Sequence, residues 1–244
     1  YYKRFYSNQN YTRADIAEDA LHDFCISLNE YANTQVAIVF FNKNATSKTS
    51  GWVSAESAAA YFDDGLDGVY HDSSVYDEGT RWDKGLNEAL SYLATADSDP
   101  TYVLFVTDGR YSAGYNDALK YARQIETYNT ATHSYNTTND GGNTTLFGVY
   151  AFGSQYDYLD DVIYYAEVGS ERTAGNDTDI TSEIKDNYFR ANSTEDFNSI
   201  LSNVFNKIVS TSGIGSTTIN DGTTSSVTTT SGEISSLLQD LVAF

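Results

Sequence analysis

Tyr102-Val103-Leu104-Phe105-Val106-Thr107-Asp108-Gly109 is the stretch from which the fold is read. Its first six residues form a near-continuous apolar run rich in β-branched and aromatic side chains. That is the pattern of a strand covered on both faces, as in a parallel sheet, rather than of a strand with one wet face. Two more runs share it: Val36-Ala37-Ile38-Val39-Phe40-Phe41 and Leu146-Phe147-Gly148-Val149-Tyr150-Ala151-Phe152.

Segments of helical period lie between these runs. Ile16, Ala20, Phe24 and Leu28 recur every four residues, with Ala17, Leu21 and Cys25 beside them and Thr12 placed to cap the helix. Leu86, Ala89, Leu90 and Leu93 give a second stripe. Ala118, Ala122 and Ile125 give a third, and Leu159, Val162, Ile163 and Ala166 a fourth. The last is Phe197, Ile200, Leu201, Val204, Phe205 and Ile208, with Ser193 as its cap. Strands alternating with helices predict an α/β, doubly wound, mainly parallel sheet flanked by helices. This unit is expected over residues 1–210. Residues 211–244, Ser/Thr/Gly-rich with a turn at Asn220-Asp221-Gly222, read as a linker and the start of a stalk-like β domain. Two polar stretches, 65–79 and 128–143, read as exposed loops, with Asp63-Asp64-Gly65-Leu66-Asp67-Gly68 as a solvated turn or a loose Ca²⁺ site.

The 244 residues carry 14 Lys and Arg against 34 Asp and Glu, a formal charge of -20, which repels phosphate backbones and argues against a nucleic-acid partner. The same acidity suits oxygen-seeking cations such as Mg²⁺ or Ca²⁺. Hydrophobic residues make up 40% of the chain, enough for a substantial core. No apolar run approaches the length of a membrane span. One cysteine, Cys25, excludes an internal disulfide and any multi-cysteine zinc or iron–sulfur site, and its place in a helical stripe reads as core packing. His22, His71 and His133 are isolated in sequence, and no dinucleotide, phosphate-cradling or Gly-x-Ser-x-Gly pattern is present, so no enzymatic activity is expected.

In doubly wound sheets, ligands sit beyond the carboxyl ends of the strands. The run at 102–107 delivers Asp108 to that position. Glu78-Gly79-Thr80-Arg81-Trp82-Asp83-Lys84-Gly85-Leu86 places the Thr80 hydroxyl just ahead of a helix. Together these stretches resemble the von Willebrand factor A (VWA) domain family. Tyr102 to Gly109 is similar to the family's strand and loop ending in Thr-Asp-Gly. Glu78 to Leu86 is similar to its Gly-Thr-x-Trp-x-x-Gly-Leu stretch. Thr12-Arg-Ala-Asp-Ile-Ala-Glu-Asp-Ala-Leu, followed by Val36 to Phe41, resembles its first helix and second strand.

The resemblance implies a metal-ion-dependent adhesion site. Thr80 would be a hydroxyl ligand and Asp108 a carboxylate ligand, direct or through water, of a divalent cation: Mg²⁺ foremost, with Mn²⁺ or Ca²⁺ as alternatives. An open coordination position would then take a carboxylate from a protein or extracellular-matrix partner. The family's first motif, Asp-x-Ser-x-Ser at the end of a central strand, is absent, and only a polar, aromatic lead-in precedes Thr12. The Asn/Thr/Tyr-rich, disulfide-free style resembles surface or pilus-tip adhesins of Gram-positive bacteria, which implies an extracellular, cell-wall or pilus location. Two other roles are open: a structural VWA domain whose metal site is vestigial, and an accessory domain of a larger enzyme.

Overall fold

The computed structural model describes residues 13–30, 34–70, 80–96, 100–108, 111–136, 142–152, 158–172 and 184–212. In chain order the elements are α1 (Arg13–Asn29), β1 (Gln35–Val36), β2 (Val39–Phe41), β3 (Ala45–Ser47), β4 (Val53–Ser54), α2 (Ala55–Tyr70), α3 (Trp82–Leu93) and β5 (Thr101–Thr107). The chain continues through α4 (Tyr115–Glu126), β6 (Tyr128–Asn129), β7 (Ser134–Tyr135), β8 (Thr144–Ala151), α5 (Leu159–Val168), β9 (Tyr188–Ala191) and α6 (Thr194–Ser212).

Two of the three apolar runs form a parallel pair. β5 and β8 are in register from Thr101 opposite Thr144 to Thr107 opposite Tyr150, and β8 pairs with β9 in parallel from Gly148 opposite Tyr188. Side chains on β8 alternate between two apolar layers, as the two-residue period of a strand requires. Leu146 and Tyr150 face α3, α4 and α5 together with Trp82, Leu86, Leu119, Ile125, Leu159 and Ile163. Phe147, Val149 and Ala151 face the opposite layer, where Ala20 and Leu28 of α1 meet Phe197, Leu201, Val204 and Phe205 of α6. Helices thus cover both faces, which is why the strands could be apolar throughout. Each fully buried large side chain here contributes about 1.5–3 kcal/mol relative to exposure. The result is a mixed α/β fold around a parallel sheet that has three strands among the described residues.

The run Val36–Phe41 departs from expectation. It does not join this sheet; it splits into two short antiparallel ladders, β1 with β4 and β2 with β3. The polar Asn42-Lys43-Asn44 turn folds the chain straight back, with the Asn42 amide donating to the Asn44 carbonyl at 2.8 Å. The break at Ile38 is held from the side: its amide donates to Thr49 Oγ1 at 3.1 Å and its carbonyl accepts from Lys48 at 2.8 Å. Contact with the parallel sheet is made through rings, Phe41 stacking on Phe105 at 4.8 Å.

This leaves β5 as an edge strand among the described residues. The Thr101 amide donates to Asn143 on the β8 side at 3.1 Å. By the alternation of a parallel ladder, the backbone groups of Tyr102, Leu104 and Val106 point the other way.

Two loop expectations are also corrected. Residues 65–70 are helical, because α2 carries Ala58, Ala59 and Phe62 on one buried face, packed with Cys25 and Ile38. The backbone of Asp63 to Gly68 therefore lies within that helix, not in a turn; 71–79 and His71 lie outside the described residues. Within 128–143, β6 and β7 form a small hairpin. Ser193 caps α6 as expected, its Oγ accepting from the Asp196 amide at 3.1 Å. Residue Thr12, expected to cap α1, and residues 213–244 lie outside the described residues. Cys25 is 3% exposed, and burial pushes its thiol up to about 12. No helix among the described residues is long and apolar enough to cross a membrane.

Candidate functional site

The carboxyl end of β5 is where the strand releases Asp108 into solvent: Thr107 is still buried, Asp108 exposed. Thr80 stands two residues ahead of α3. Its carbonyl accepts from the Ser112 amide at 2.8 Å and from Ser112 Oγ at 3.3 Å. Ser112 is four residues past Asp108, so the loop carrying Thr80 is tied to the loop that leaves β5. On its other side the Thr80 loop is held by the Arg81 amide, which donates to the Asn42 carbonyl at 2.7 Å. The two loops singled out from the sequence therefore belong to one rim of the sheet.

Below them the rim is densely packed with rings. Trp82, wholly buried at the first position of α3, packs edge-on against Phe105 at 6.2 Å and Tyr111 at 5.5 Å. Tyr111 in turn stacks on Tyr115 at 4.7 Å and meets Tyr158 edge-on at 5.5 Å. Burial and the nearby carboxylates Asp161 and Asp160 raise the Tyr115 hydroxyl above its ordinary range, with Tyr111 and Glu171 adding to the effect. Tyr158, Tyr164 and Tyr165 pack, partly buried, against the same core, in which Tyr150 is 1% exposed.

Asp83, 2% exposed, has its charge answered by a two-pronged grip from Arg81, Nε to Oδ1 at 2.7 Å and Nη2 to Oδ2 at 2.6 Å. Gly114, the residue before α4, presses against that carboxyl: a Cβ there would fall 2.5 Å from Asp83 Cγ and Oδ1. It also sits at φ +76°, which favours glycine. Asp83, Ser112 and Gly114 were not singled out in the sequence. Only the fold brings Asp83 against Gly114 at the start of α4.

Neither the Thr80 hydroxyl nor the Asp108 carboxylate is engaged by a hydrogen bond or ion pair among the described residues. A hydroxyl and a carboxylate are the hard oxygen donors that Mg²⁺, Mn²⁺ or Ca²⁺ take, and in kind they fit such an ion. In number they are two of the roughly six oxygens that Mg²⁺ requires. Among the described residues no group of three or more His, Cys, Asp and Glu side chains converges to hold an ion, either at this rim or elsewhere.

The fold and this rim define a mixed α/β domain with two oxygen-bearing loops at the carboxyl end of a parallel strand. No family model matches the chain, and no curated protein does. Among solved structures it is similar to the pilus adhesin SpaC from Lactobacillus rhamnosus GG in its open conformation, at 13% identity and a TM-score of 0.48. That likeness covers 82% of this chain and 28% of that one. It is also similar to an uncharacterized membrane spanning protein from Vibrio fischeri, at 15% identity and a TM-score of 0.26, covering 79% of this chain and 83% of that one. The chain thus spans little more than a quarter of the adhesin's length. At these scores neither likeness bears on function.

Proposed function

We propose that this chain is a VWA-type binding module of a cell-surface protein, and not an enzyme. Thr80 and Asp108 contribute to a divalent-cation site, Mg²⁺ foremost, that takes a carboxylate from a protein or matrix ligand. One observation carries the reading: the Ser112–Thr80 hydrogen bonds tie the two motif loops together at the carboxyl end of β5, with both candidate donors unengaged among the described residues. A cation held there supplies a fixed positive charge for a ligand oxygen. The chain's own part is to hold Thr80 through Ser112 and Arg81, and to keep the α3 end rigid through Trp82 and Asp83. Thermal unfolding of the chain with and without Mg²⁺ or Mn²⁺, repeated on Asp108→Ala, tests this. Stabilisation by the cation that the substitution abolishes supports it.

A second reading is favoured by the small donor set. In a structural VWA domain with a vestigial site, Thr80 ends a loop and Asp108 ends a strand, and neither holds a metal. It predicts the same melting temperature with and without cation.

A further inference from the structure

A lysine, an asparagine and a glutamate from three elements meet at the amino end of β9. Asn187, the residue before that strand, is 9% exposed. Its backbone is held on both sides: its amide donates to the Ile184 carbonyl at 2.9 Å, and its carbonyl accepts from the Gly148 amide of β8 at 2.8 Å. Its side-chain oxygen, Oδ1, accepts from Lys207 Nζ of α6 at 2.7 Å. Its side-chain nitrogen, Nδ2, donates to the Glu167 carboxylate near the end of α5. An ammonium only donates and a carboxylate only accepts, so these partners fix which way round the carboxamide stands. Lys207 Nζ also donates to the Asp186 carbonyl at 3.1 Å, and it stands 5.4 Å from the centre of the wholly buried Phe147 ring. Both of these acceptors are amide oxygens. The end of α5 that carries Glu167 is held by Arg123, whose Nη1 donates to the Ala166 and Glu167 carbonyls at 2.6 and 3.1 Å.

These are the parts of an amide transfer. A lysine amine is a nucleophile once it has given up a proton, and a carboxamide carbon accepts it when a neighbouring acid can protonate the nitrogen that leaves. Asn187 Cγ lies one bond from the oxygen that Nζ already touches, so little movement brings the amine onto the carbon it would attack. Glu167 sits on the other nitrogen of the reaction, the one that would leave. Nucleophile, electrophile and proton carrier are thus three side chains touching the two ends of one carboxamide, beside a buried aromatic ring. Burial raises the Glu167 carboxyl above its ordinary range, against the pull of Asn187, Lys207 and Arg123, which suits a group that takes up and releases a proton.

We propose that Lys207 and Asn187 join in a side-chain amide bond, with Glu167 as the proton carrier, so that α6 is tied covalently to the turn before β9. Glu167 takes one proton from the Lys207 ammonium. The freed amine attacks Asn187 Cγ and forms the Nζ–Cγ bond. Glu167 returns its proton to Nδ2 as the Cγ–Nδ2 bond breaks, then takes the second proton that Nζ sheds as the new amide forms. The departing ammonia carries that proton away. Nothing is oxidised or reduced: one lysine ammonium and one carboxamide become one amide and one ammonium ion. The bond closes residues 187–207, which hold β9 and most of α6, into a ring.

The intact mass of the full chain, measured in denaturant after the folded protein has been incubated, tests the proposal. The chain should be lighter than its sequence by one ammonia. In a protease digest the fragments carrying Asn187 and Lys207 should stay joined, which separates this bond from ammonia lost elsewhere. Lys207→Arg, which keeps the charge but supplies no ε-amine, should have the full mass of its sequence. Glu167→Gln, which keeps a hydrogen-bonding oxygen but no titrating proton, should form the bond at least about a hundredfold more slowly. The unmodified chain decides the matter by itself if either variant fails to fold. Full sequence mass in the unmodified chain, ammonia lost with the two fragments separate, or a bond that forms as fast in Glu167→Gln would overturn it.

Discussion

Replacing Gly114 with alanine probes the support of the rim directly. Two costs arise there. At φ +76° an L-residue pays about 1–2 kcal/mol for the left-handed conformation. The new Cβ would also lie 2.5 Å from Asp83 Cγ and Oδ1. The Asp83 carboxyl cannot swing aside freely, because both of its oxygens are gripped by Arg81. Relief therefore means shifting the start of α4 or breaking that grip, an overpacking cost of about 1–3 kcal/mol. The sum is about 2–5 kcal/mol, or a fall of roughly 5–15 °C in melting temperature for a domain of this size. Gly51 provides the control. It has φ +94° and open space within 4 Å of where a Cβ would stand, so Gly51→Ala should cost only the conformational term of about 1–2 kcal/mol. Urea unfolding followed by circular dichroism measures both. In an Asp83→Ala background the clash disappears, so Gly114→Ala should then cost no more than Gly51→Ala does. If Gly114→Ala costs no more than Gly51→Ala in the unaltered background, the contact with Asp83 does not support the rim as argued.

Three further outcomes are expected. Cys25, buried and with its thiol pushed up to about 12, should react with a disulfide reagent at pH 8 only as fast as the chain unfolds; rapid native-state labelling would contradict its place in the core. The Glu126 carboxyl, at about 8 when folded against an ordinary 4.5, gives stability that is full below pH 4.5 and lost as pH rises through 8. The gap between those two values, allowing for partial exposure, is worth about 2–4 kcal/mol. Glu126→Gln should reduce the loss of unfolding free energy between pH 5 and 9 by that amount, and an unchanged loss would count against the burial of this group. Finally, the Tyr102, Leu104 and Val106 amides at the β5 edge should exchange at least about tenfold faster than Phe147 and Val149 of β8. Equal protection would mean that a further strand covers that edge.

The parallel core was legible because its signals are dense. β5 and β8 carry uninterrupted apolar runs, and the α3, α4, α5 and α6 stripes each repeat at helical spacing. The third parallel strand, β9, was not read. It is four residues long, includes Arg190, and lies at the sheet's edge among the described residues, where alternation is weak. Val36–Phe41 had the composition of a sheet strand, but pairing depends on the neighbouring turn, and Asn42-Lys43-Asn44 made it a hairpin. α2 was hidden by Asp63-Asp64-Gly65, whose turn character is overridden by the buried Ala58, Ala59 and Phe62 face against α1. At the rim, Thr80 and Asp108 stood out as oxygen donors ahead of a helix and behind a strand. Their support did not, because Ser112 and Gly114 act through backbone and packing contacts, and the Asp83 ion pair with Arg81 is brought against Gly114 only by the fold. Glu126 and Glu167 look like solvated acids near helix ends until the fold closes over them.

Cation dependence at the rim is tested most directly by melting the chain across a Mg²⁺ or Mn²⁺ titration beside Asp108→Ala. At a cation concentration about ten times the dissociation constant, binding adds about 1.4 kcal/mol, a rise of roughly 3–6 °C that saturates with concentration. The unmodified chain should show that rise, and the variant should lose it. A melting temperature that ignores the cation, or an equal rise in both proteins, would contradict a cation site built on Thr80 and Asp108.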